Sequence, residues 1–152
     1  SDRYRRGMYT FFKRTAPHPN LMTLDSPESN VVCLARNRSN TPLGALVTLN
    51  NEVYVEAAQA LARRALLLSA VDDQDRLVQS WRLCVPRIPT AGELQRLHLL
   101  LVGSRKWYRN RPQDARQRVG VQDAAGDAAW EVAAWIAVAR VILNLDEVTT
   151  RD

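Results

Sequence analysis

Residues 36–51, RNRSNTPLGALVTLNN, mark the point at which a polar, arginine-bearing approach gives way to an apolar helix. Thr41 is a good N-cap, because its hydroxyl can accept a hydrogen bond from a free backbone N–H of the first turn. Pro42 suits the first helical position, where its missing N–H would be unpaired in any case. Leucine and valine then recur on one face until Asn50-Asn51. The stretch predicts a short helix from residue 42 and the start of a helical body.

Helical periodicity continues as far as residue 145. Apolar residues recur three and four apart in four further segments, which begin near Asn51, Asp72, Thr90 and Asp127. The first of these polar residues also caps its helix, and Thr90 with Glu93 forms a capping box. Strand-like alternation is not convincing anywhere. We therefore predict an all-α fold, an irregular helical bundle of about five helices.

The chain divides into two parts of different character within one domain. Residues 1–40 are interrupted by Gly7 and three prolines, and they predict an extended, loop-rich N-terminal arm packed on the bundle. Residues 41–152 form the bundle itself. Within it, residues 109–126 are arginine-rich, contain Pro112 and two glycines and show weak periodicity, so we predict a long surface loop there.

Composition is that of a soluble globular chain of 152 residues with a net charge of +5. No apolar run is long enough for a membrane span, and the N-terminus lacks the apolar core of a signal peptide. Residues 1–40 and 91–126 each carry seven basic and three acidic groups. Polyanion binding through these two basic regions is one hypothesis. Two solvated arginine-rich segments are the plainer interpretation, and nucleic acid is not an expected partner.

The sequence lacks the standard catalytic signatures, so we lean against an enzyme. Cys33 and Cys84 have no second Cys or His at ligand spacing, and His18 and His98 stand alone, so neither a metal site nor a cofactor is predicted in this chain. The candidate polar cluster consists of Asp25, Arg36, Arg38, Asn40 and Glu56.

Two interpretations of that polar cluster remain open. Two carboxylates facing each other in a cleft can do general acid–base chemistry, which would suit a saccharide-acting or saccharide-binding site lined by Asp25, Arg36, Arg38 and Glu56. A structural ion pair between Glu56 and one of the two arginines is the interpretation we favour, because Glu56 heads an alanine-rich helical face.

A second set of candidate binding residues combines cations with aromatic rings, as sugar and nucleic-acid sites do. Its members are Lys13, Arg14, Arg105, Lys106, Trp107 and Arg109. Aromatic side chains near a chain end more often dock that end onto a core. We therefore treat binding by these residues as the minority hypothesis.

Several separate motifs, taken together and in order, resemble an uncharacterised C-terminal domain of large planctomycete proteins. They are Tyr9 to Pro17 (YTFFKRTAP), Thr23 to Pro27 (TLDSP), Arg36 to Leu43 (RNRSNTPL), Glu56-Ala57-Ala58, and Leu143 to Glu147 (LNLDE). The similarity runs over nearly the whole chain. The chain departs from the family pattern at Gly44, where the family places Gln, at Leu24 and Val148, which replace aromatics, and at Pro86, which replaces Gly.

The resemblance implies a role without naming a reaction. This chain would be the later part of the family's domain, in an exported protein of the periplasm or cell surface. Such proteins often also carry a planctomycete-type cytochrome c domain, so a haem would lie elsewhere in the parent. We therefore expect a non-catalytic helical accessory or interaction domain of a larger exported multidomain protein. Its partners would be neighbouring domains of the same parent protein, with polysaccharide as a further partner.

Overall fold

The computed structural model of the chain describes residues 7–13, 15–27, 32–34, 41–120 and 128–149. Within these ranges the backbone forms eight α-helices and a 3₁₀ turn at Gly7–Tyr9, and no β-strand. The helices are α1 (Pro19–Thr23), α2 (Pro42–Asn50), α3 (Glu52–Leu67), α4 (Asp73–Arg82), α5 (Ala91–Arg109), α6 (Pro112–Val119), α7 (Ala129–Leu143) and α8 (Asp146–Thr149). The predicted all-α fold is confirmed.

Side-chain caps start four of the helices where the sequence predicts them. The Thr41 hydroxyl accepts a hydrogen bond from the Gly44 N–H at 3.0 Å and so begins α2. Asn51 ends α2, and its side chain caps α3; the Asp72 carboxylate caps α4. Thr90 and Glu93 form the predicted capping box of α5. Helix α7 has Ala128 as its N-cap, without a side-chain hydrogen bond, and Asp127 lies outside the described residues.

Helix α7 is the centre of the bundle. It packs against α3, α5 and α6, and it contributes eight of the nineteen buried apolar residues in the described part of the chain. Four of those eight are alanines, and α3 faces them with Ala58, Ala62 and Ala65. Because small side chains let helix axes approach closely, these alanines bring the two helices together, while larger side chains such as Trp135 and Ile136 fill the remaining space.

The predicted surface loop at 109–126 is wrong for residues 112–119, which form helix α6. Pro112 occupies its first turn, and Gly120 follows its end with φ 79°, a left-handed conformation that favours glycine. Ala115 and Val119, one turn apart, are buried against α7. Only these two positions are apolar on an otherwise polar segment, so the periodicity is too weak to be recognised. Residues 121–127 lie outside the described ones.

The predicted N-terminal arm contains more helix than expected. Besides the 3₁₀ turn it holds α1, which packs against α2. Gly7 lies against Leu21, because a Cβ built on Gly7 would stand 3.0 Å from a Leu21 methyl carbon. Before Thr48, none of the residues whose burial the structure describes is buried. The described part of the arm therefore lies at the edge of the bundle and adds little to the core.

Candidate functional site

A small polar cavity of about 110 Å³ lies where α1, α2 and the α7–α8 turn meet. Its walls are Thr23, Leu24, Asp25, Thr41, Gly44, Ala45, Thr48, Tyr54, Asn144, Asp146 and Thr149. Three of the stretches that carry the resemblance thus reach one place, although more than a hundred residues separate the first from the last. We call this space the junction cavity.

Asp25 enters the junction cavity from a strained backbone position, with φ 54°. The N–H of Asp25 donates to the Met22 carbonyl at 3.3 Å, and that of Ser26 donates to the Leu21 carbonyl at 2.9 Å. These two bonds end α1 with a left-handed residue, a place that glycine usually takes because a side chain there costs energy. Aspartate tolerates the conformation better than most residues. Its presence instead of glycine keeps a carboxylate at the cavity.

Thr48 and Asn144 join α2 to the end of α7. The Thr48 hydroxyl contacts the side-chain oxygen of Asn144 and lies 2.9 Å from the Ala45 carbonyl. Thr48 is buried, and a buried hydroxyl without a partner would destabilise the fold. Sequence analysis did not single out Thr48. A threonine within the leucine-rich run of α2 is the signal that could have found it.

Residues 1–101 match the family described as PSD1, protein of unknown function (DUF1553). The chain belongs to this family. No curated protein and no solved structure matched the chain.

The DUF1553 match includes α1 and α2 and ends within α5. Two walls of the junction cavity therefore come from the matched part, and the third, with Asn144 and Asp146, lies beyond it. The expected membership in a family of unknown function is confirmed. The planctomycete origin and the association with a cytochrome stay predictions from the resemblance.

Gly44 has no side chain to occupy the junction cavity of this DUF1553 member. A Cβ at this position would stand 3.4 Å from the Thr41 hydroxyl oxygen and 3.8 Å from the Thr23 carbonyl oxygen, which is ordinary contact. Gly44 itself lines the junction cavity. A glutamine here, the residue that the resemblance leads us to expect, would extend its side chain into that space.

We expect Gly44→Gln to raise the free energy of unfolding by about 0.5–1 kcal/mol, because glycine is disfavoured inside a helix by about that amount. Urea denaturation monitored by circular dichroism measures the change. Gly103→Gln is the matched control, since a Cβ at Gly103 in α5 meets nothing within 4 Å. A loss of stability in Gly44→Gln, with Gly103→Gln stabilised, would show that the cavity does not accept the side chain.

The structure describes two of the five residues of the predicted polar cluster. Asp25 lines the junction cavity, whereas the partly buried Glu56 lies on α3 and is not among the lining residues. Arg36, Arg38 and Asn40 lie outside the described residues. The predicted pairing of Glu56 with one of these arginines therefore stays a prediction.

Four of the six candidate cation–aromatic residues, Arg105, Lys106, Trp107 and Arg109, lie on α5. Lys13 lies in the arm, exposed, and Arg14 is outside the described residues. Lys106 is exposed on α5. The Arg109 guanidinium lies 3.9 Å from the centre of the Trp130 ring. Trp107 is 44% exposed, and the Arg111 guanidinium lies 4.5 Å from the centre of its ring.

Arg105 joins three helices through two carboxylates. Its guanidinium pairs with Asp73 at the start of α4 and with Glu131 on α7, where Nε donates to a Glu131 oxygen at 2.8 Å. Glu131 also accepts a hydrogen bond from the indole N–H of Trp135 at 3.0 Å. The hydrogen bonds from Arg105 lower the pKa of Asp73 below its usual range. We call these three charged residues the Arg105 triad. Its ion pairs form a structural tie, by which we mean that they link α4, α5 and α7.

A second tie, which sequence analysis missed, centres on Arg87. Its guanidinium forms bidentate pairs with Glu93 and with Glu147, with closest distances of 2.7 Å to each, and lies 5.0 Å from the centre of the Trp81 ring. The hydrogen bonds from Arg87 lower the pKa of Glu93 to about 2. These contacts hold the start of α5 against α8. Glu93 and Glu147 lie 6 and 60 residues from Arg87 in the sequence, so only the pairing with Glu93 could have been predicted from neighbouring residues.

The described ranges contain neither a cluster of metal ligands nor a helix suited to a membrane span. No group of three or more His, Cys, Asp or Glu side chains there is placed to hold a metal ion. In that same part of the chain, none of the helices combines the length and the apolar character that crossing a membrane requires. Cys84, which follows the end of α4, is partly buried, and burial raises the pKa of its thiol.

Proposed function

We propose that this DUF1553 member is a non-catalytic helical interaction domain of a larger multidomain protein. The observation that carries the proposal is an apolar surface on the arm and α2, which we call the N-terminal apolar face. Its members are Tyr9, Phe11, Met22, Leu24, Leu43 and Leu46. Through this face the domain docks onto a neighbouring part of the same parent protein.

Exposure is the first support for this role. Phe11 is 85% exposed, and Leu43 and Leu46 on the outer side of α2 are 58% and 55% exposed. Half of the exposed large apolar side chains in the described part of the chain lie before residue 47. A monomeric protein seldom leaves such side chains clustered in water without an interaction that covers them. Met22 lies on α1, and Leu43 and Leu46 lie on α2, so these exposed side chains are on two helices that pack against each other.

The size of the junction cavity is the second support. Sites for small molecules usually enclose about 300–1,000 Å³. The junction cavity has about 110 Å³, and its threonines already serve the fold by capping α2 and by bonding to Asn144. Among the described residues, the space beside Asp25 is therefore smaller than such sites usually are. The polar residues of this cavity suit a structural junction better than a catalytic centre.

The charge distribution supports an apolar partner over a polyanion. Arg105, one of the seven basic residues between 91 and 126, pairs with Asp73 and Glu131, so it adds little free positive charge to that region. The resemblance supplies the remaining parts of the proposal. The partner is the section of the family's domain that precedes residue 1 in the parent protein, and the parent is exported to the periplasm or the cell surface.

Binding between the chain and the preceding section of its parent, measured by calorimetry, tests the proposal. We expect Leu43→Lys/Leu46→Lys to weaken the wild-type Kd by about tenfold or more, since charges at the centre of an apolar contact are strongly unfavourable. Leu99→Lys/Val102→Lys is the matched control, because both residues are exposed on the outer side of α5 with the same spacing. It should bind like wild type.

Three outcomes would contradict the proposal. One is that the wild-type chain does not bind the preceding section. Another is that both double variants bind equally weakly, which would mean that the added charge acts without regard to position. The third is self-association of the chain that disappears only in Leu43→Lys/Leu46→Lys, which would assign the face to a second copy.

A further inference from the structure

A larger cleft lies among α3, α5 and α6. Its volume is about 390 Å³, within the usual range of about 300–1,000 Å³ for small-ligand sites. Its walls include Gln59, Trp107, Tyr108, Asp114, Gln117 and Arg118. We call it the α6 cleft. It shares no lining residue with the junction cavity and none with the N-terminal apolar face.

Trp107 gives the α6 cleft an aromatic surface that is open to water. It is 44% exposed, although the Arg111 guanidinium lies 4.5 Å from the centre of its ring. The Tyr108 ring stands almost perpendicular to the indole, with an angle of 88° between the planes and 4.8 Å between the centroids. These two neighbours restrict the orientation of the indole. A large aromatic ring held at the wall of a cleft is a suitable contact for a ligand with a flat apolar face.

The protein leaves most of the polar groups of the α6 cleft unused. In the part of the chain that the structure describes, the side chains of Asp114 and Gln117 are exposed and form neither a hydrogen bond nor an ion pair. Tyr108 is only 8% exposed, and its hydroxyl forms no hydrogen bond to a described residue either. Gln59 donates from Nε2 to the Arg118 carbonyl at 3.0 Å, which leaves its side-chain oxygen as an acceptor. The cleft therefore offers both donors and acceptors to a ligand.

The charges and the directions of these groups indicate what kind of ligand fits. Asp114 and Arg118, one turn apart on α6, are the only ionised residues that line the cleft, so its net charge is close to zero. Its polar groups come from three helices and approach a ligand from several sides. A nucleobase carries its donors and acceptors in one plane. A sugar ring carries hydroxyl groups around its whole edge and has C–H faces that pack on an indole.

We propose that the α6 cleft binds a neutral saccharide. The C–H face of one sugar ring packs on the Trp107 indole, while its hydroxyls bond to the Asp114 carboxylate and the Gln117 amide. A carboxylate accepts from two adjacent hydroxyls, and an amide both donates and accepts, so the two groups match a vicinal diol. This binding is independent of docking through the N-terminal apolar face.

Saturation-transfer NMR on the whole chain tests the site with cellotriose, xylotriose, mannotriose and chitotriose as probes. We expect at least one trisaccharide to bind, with a Kd that is the same at low and high sodium chloride, because salt does not screen a neutral ligand. The corresponding monosaccharide distinguishes the source: equal affinity assigns the cleft to a free sugar, and tighter binding of the trisaccharide assigns it to a chain. Adenosine is the competing probe with a planar base.

The variants decide whether binding belongs to the α6 cleft. Trp107→Ala should weaken the Kd by about tenfold or more, as removal of a large aromatic contact does. Gln117→Ala should weaken it by about threefold or more, the effect of losing a neutral hydrogen bond. Gln113→Ala is the matched control, since Gln113 is exposed one turn earlier on α6 and does not line the cleft. It should bind like wild type.

Thermal melting followed by circular dichroism shows whether each variant is folded. If Trp107→Ala fails to fold, the comparison of Gln117→Ala with Gln113→Ala decides alone. The proposal is overturned if none of the trisaccharides binds, or if adenosine binds more tightly than all of them. It is also overturned if Gln117→Ala and Gln113→Ala bind alike.

Discussion

A fragment that ends at Arg109 is expected to show no cooperative unfolding transition, because it lacks α6 and α7. It keeps the whole of α5. The four largest fully buried side chains of α7 are Trp135, Ile136, Val138 and Ile142. Burying one such side chain contributes about 1.5–3 kcal/mol. Four of them together match the whole stability of a typical domain, about 5–15 kcal/mol. Circular dichroism during a urea titration measures the loss directly.

A second fragment serves as the control for the first. Residues 41–152 should unfold cooperatively, since none of the described residues before Thr48 is buried. The comparison also shows what the DUF1553 match leaves out. The match ends at residue 101, whereas the helix on which the core is built begins at residue 129. A cooperative transition in the fragment that ends at Arg109 would mean that α7 is an addition to the core and not its centre.

Arg105→Met is expected to lower the free energy of unfolding by about 2 kcal/mol at pH 7. It leaves Asp73 and Glu131 facing each other without their cation. Removing one partner of a fully buried pair typically costs about 3–5 kcal/mol. The side chains of the Arg105 triad keep between 18% and 31% of their surface exposed, so solvent screening reduces the effect. Lys106→Met is the control, because Lys106 is exposed on the same helix.

The pH dependence separates lost charge pairing from lost packing. The pKa of Asp73 is lower in the folded chain than its ordinary value of 3.8, so the stability that this carboxylate contributes is present above that pH and is lost as the pH falls through the folded pKa. The difference between wild type and Arg105→Met should therefore shrink in acid. A difference that stays constant down to about pH 2 would assign the loss to packing of the Arg105 side chain.

The helix starts could be predicted because their cause is local. Thr41, Asn51, Asp72 and Thr90 each cap a backbone N–H two or three residues ahead, and such contacts depend on adjacent sequence alone. The apolar periodicity of α3 and α7 is equally local. These signals suffice for the fold class and for most helix boundaries.

The ties between helices could not be predicted, because they depend on how the helices pack. Arg105 is 32 residues from Asp73 and 26 from Glu131, and nothing in the sequence near Arg105 shows that these carboxylates will meet it. In isolation it has the features of a surface cation, which is how it entered the candidate binding set. The polar segment of α6 was missed for a related reason, since its two apolar contacts gain meaning only when α7 lies opposite.

The sequence pointed to Asp25 as a residue of the candidate site, but it could not give the shape of that site. Asp25 was singled out from its motif, but its left-handed backbone and its place beside Asn144 follow from the packing of α1, α2 and α7.

Hydrogen exchange of the intact parent protein, compared with the isolated chain, tests the docking role most directly. Amide exchange reports the local free energy of opening, so a surface that becomes covered exchanges more slowly. We predict that amides of α1 and α2 exchange about tenfold or more slowly in the parent, whereas those of α7 keep the same rate. Equal rates for α1 and α2 in the two proteins would contradict the proposal that the N-terminal apolar face docks onto its neighbour.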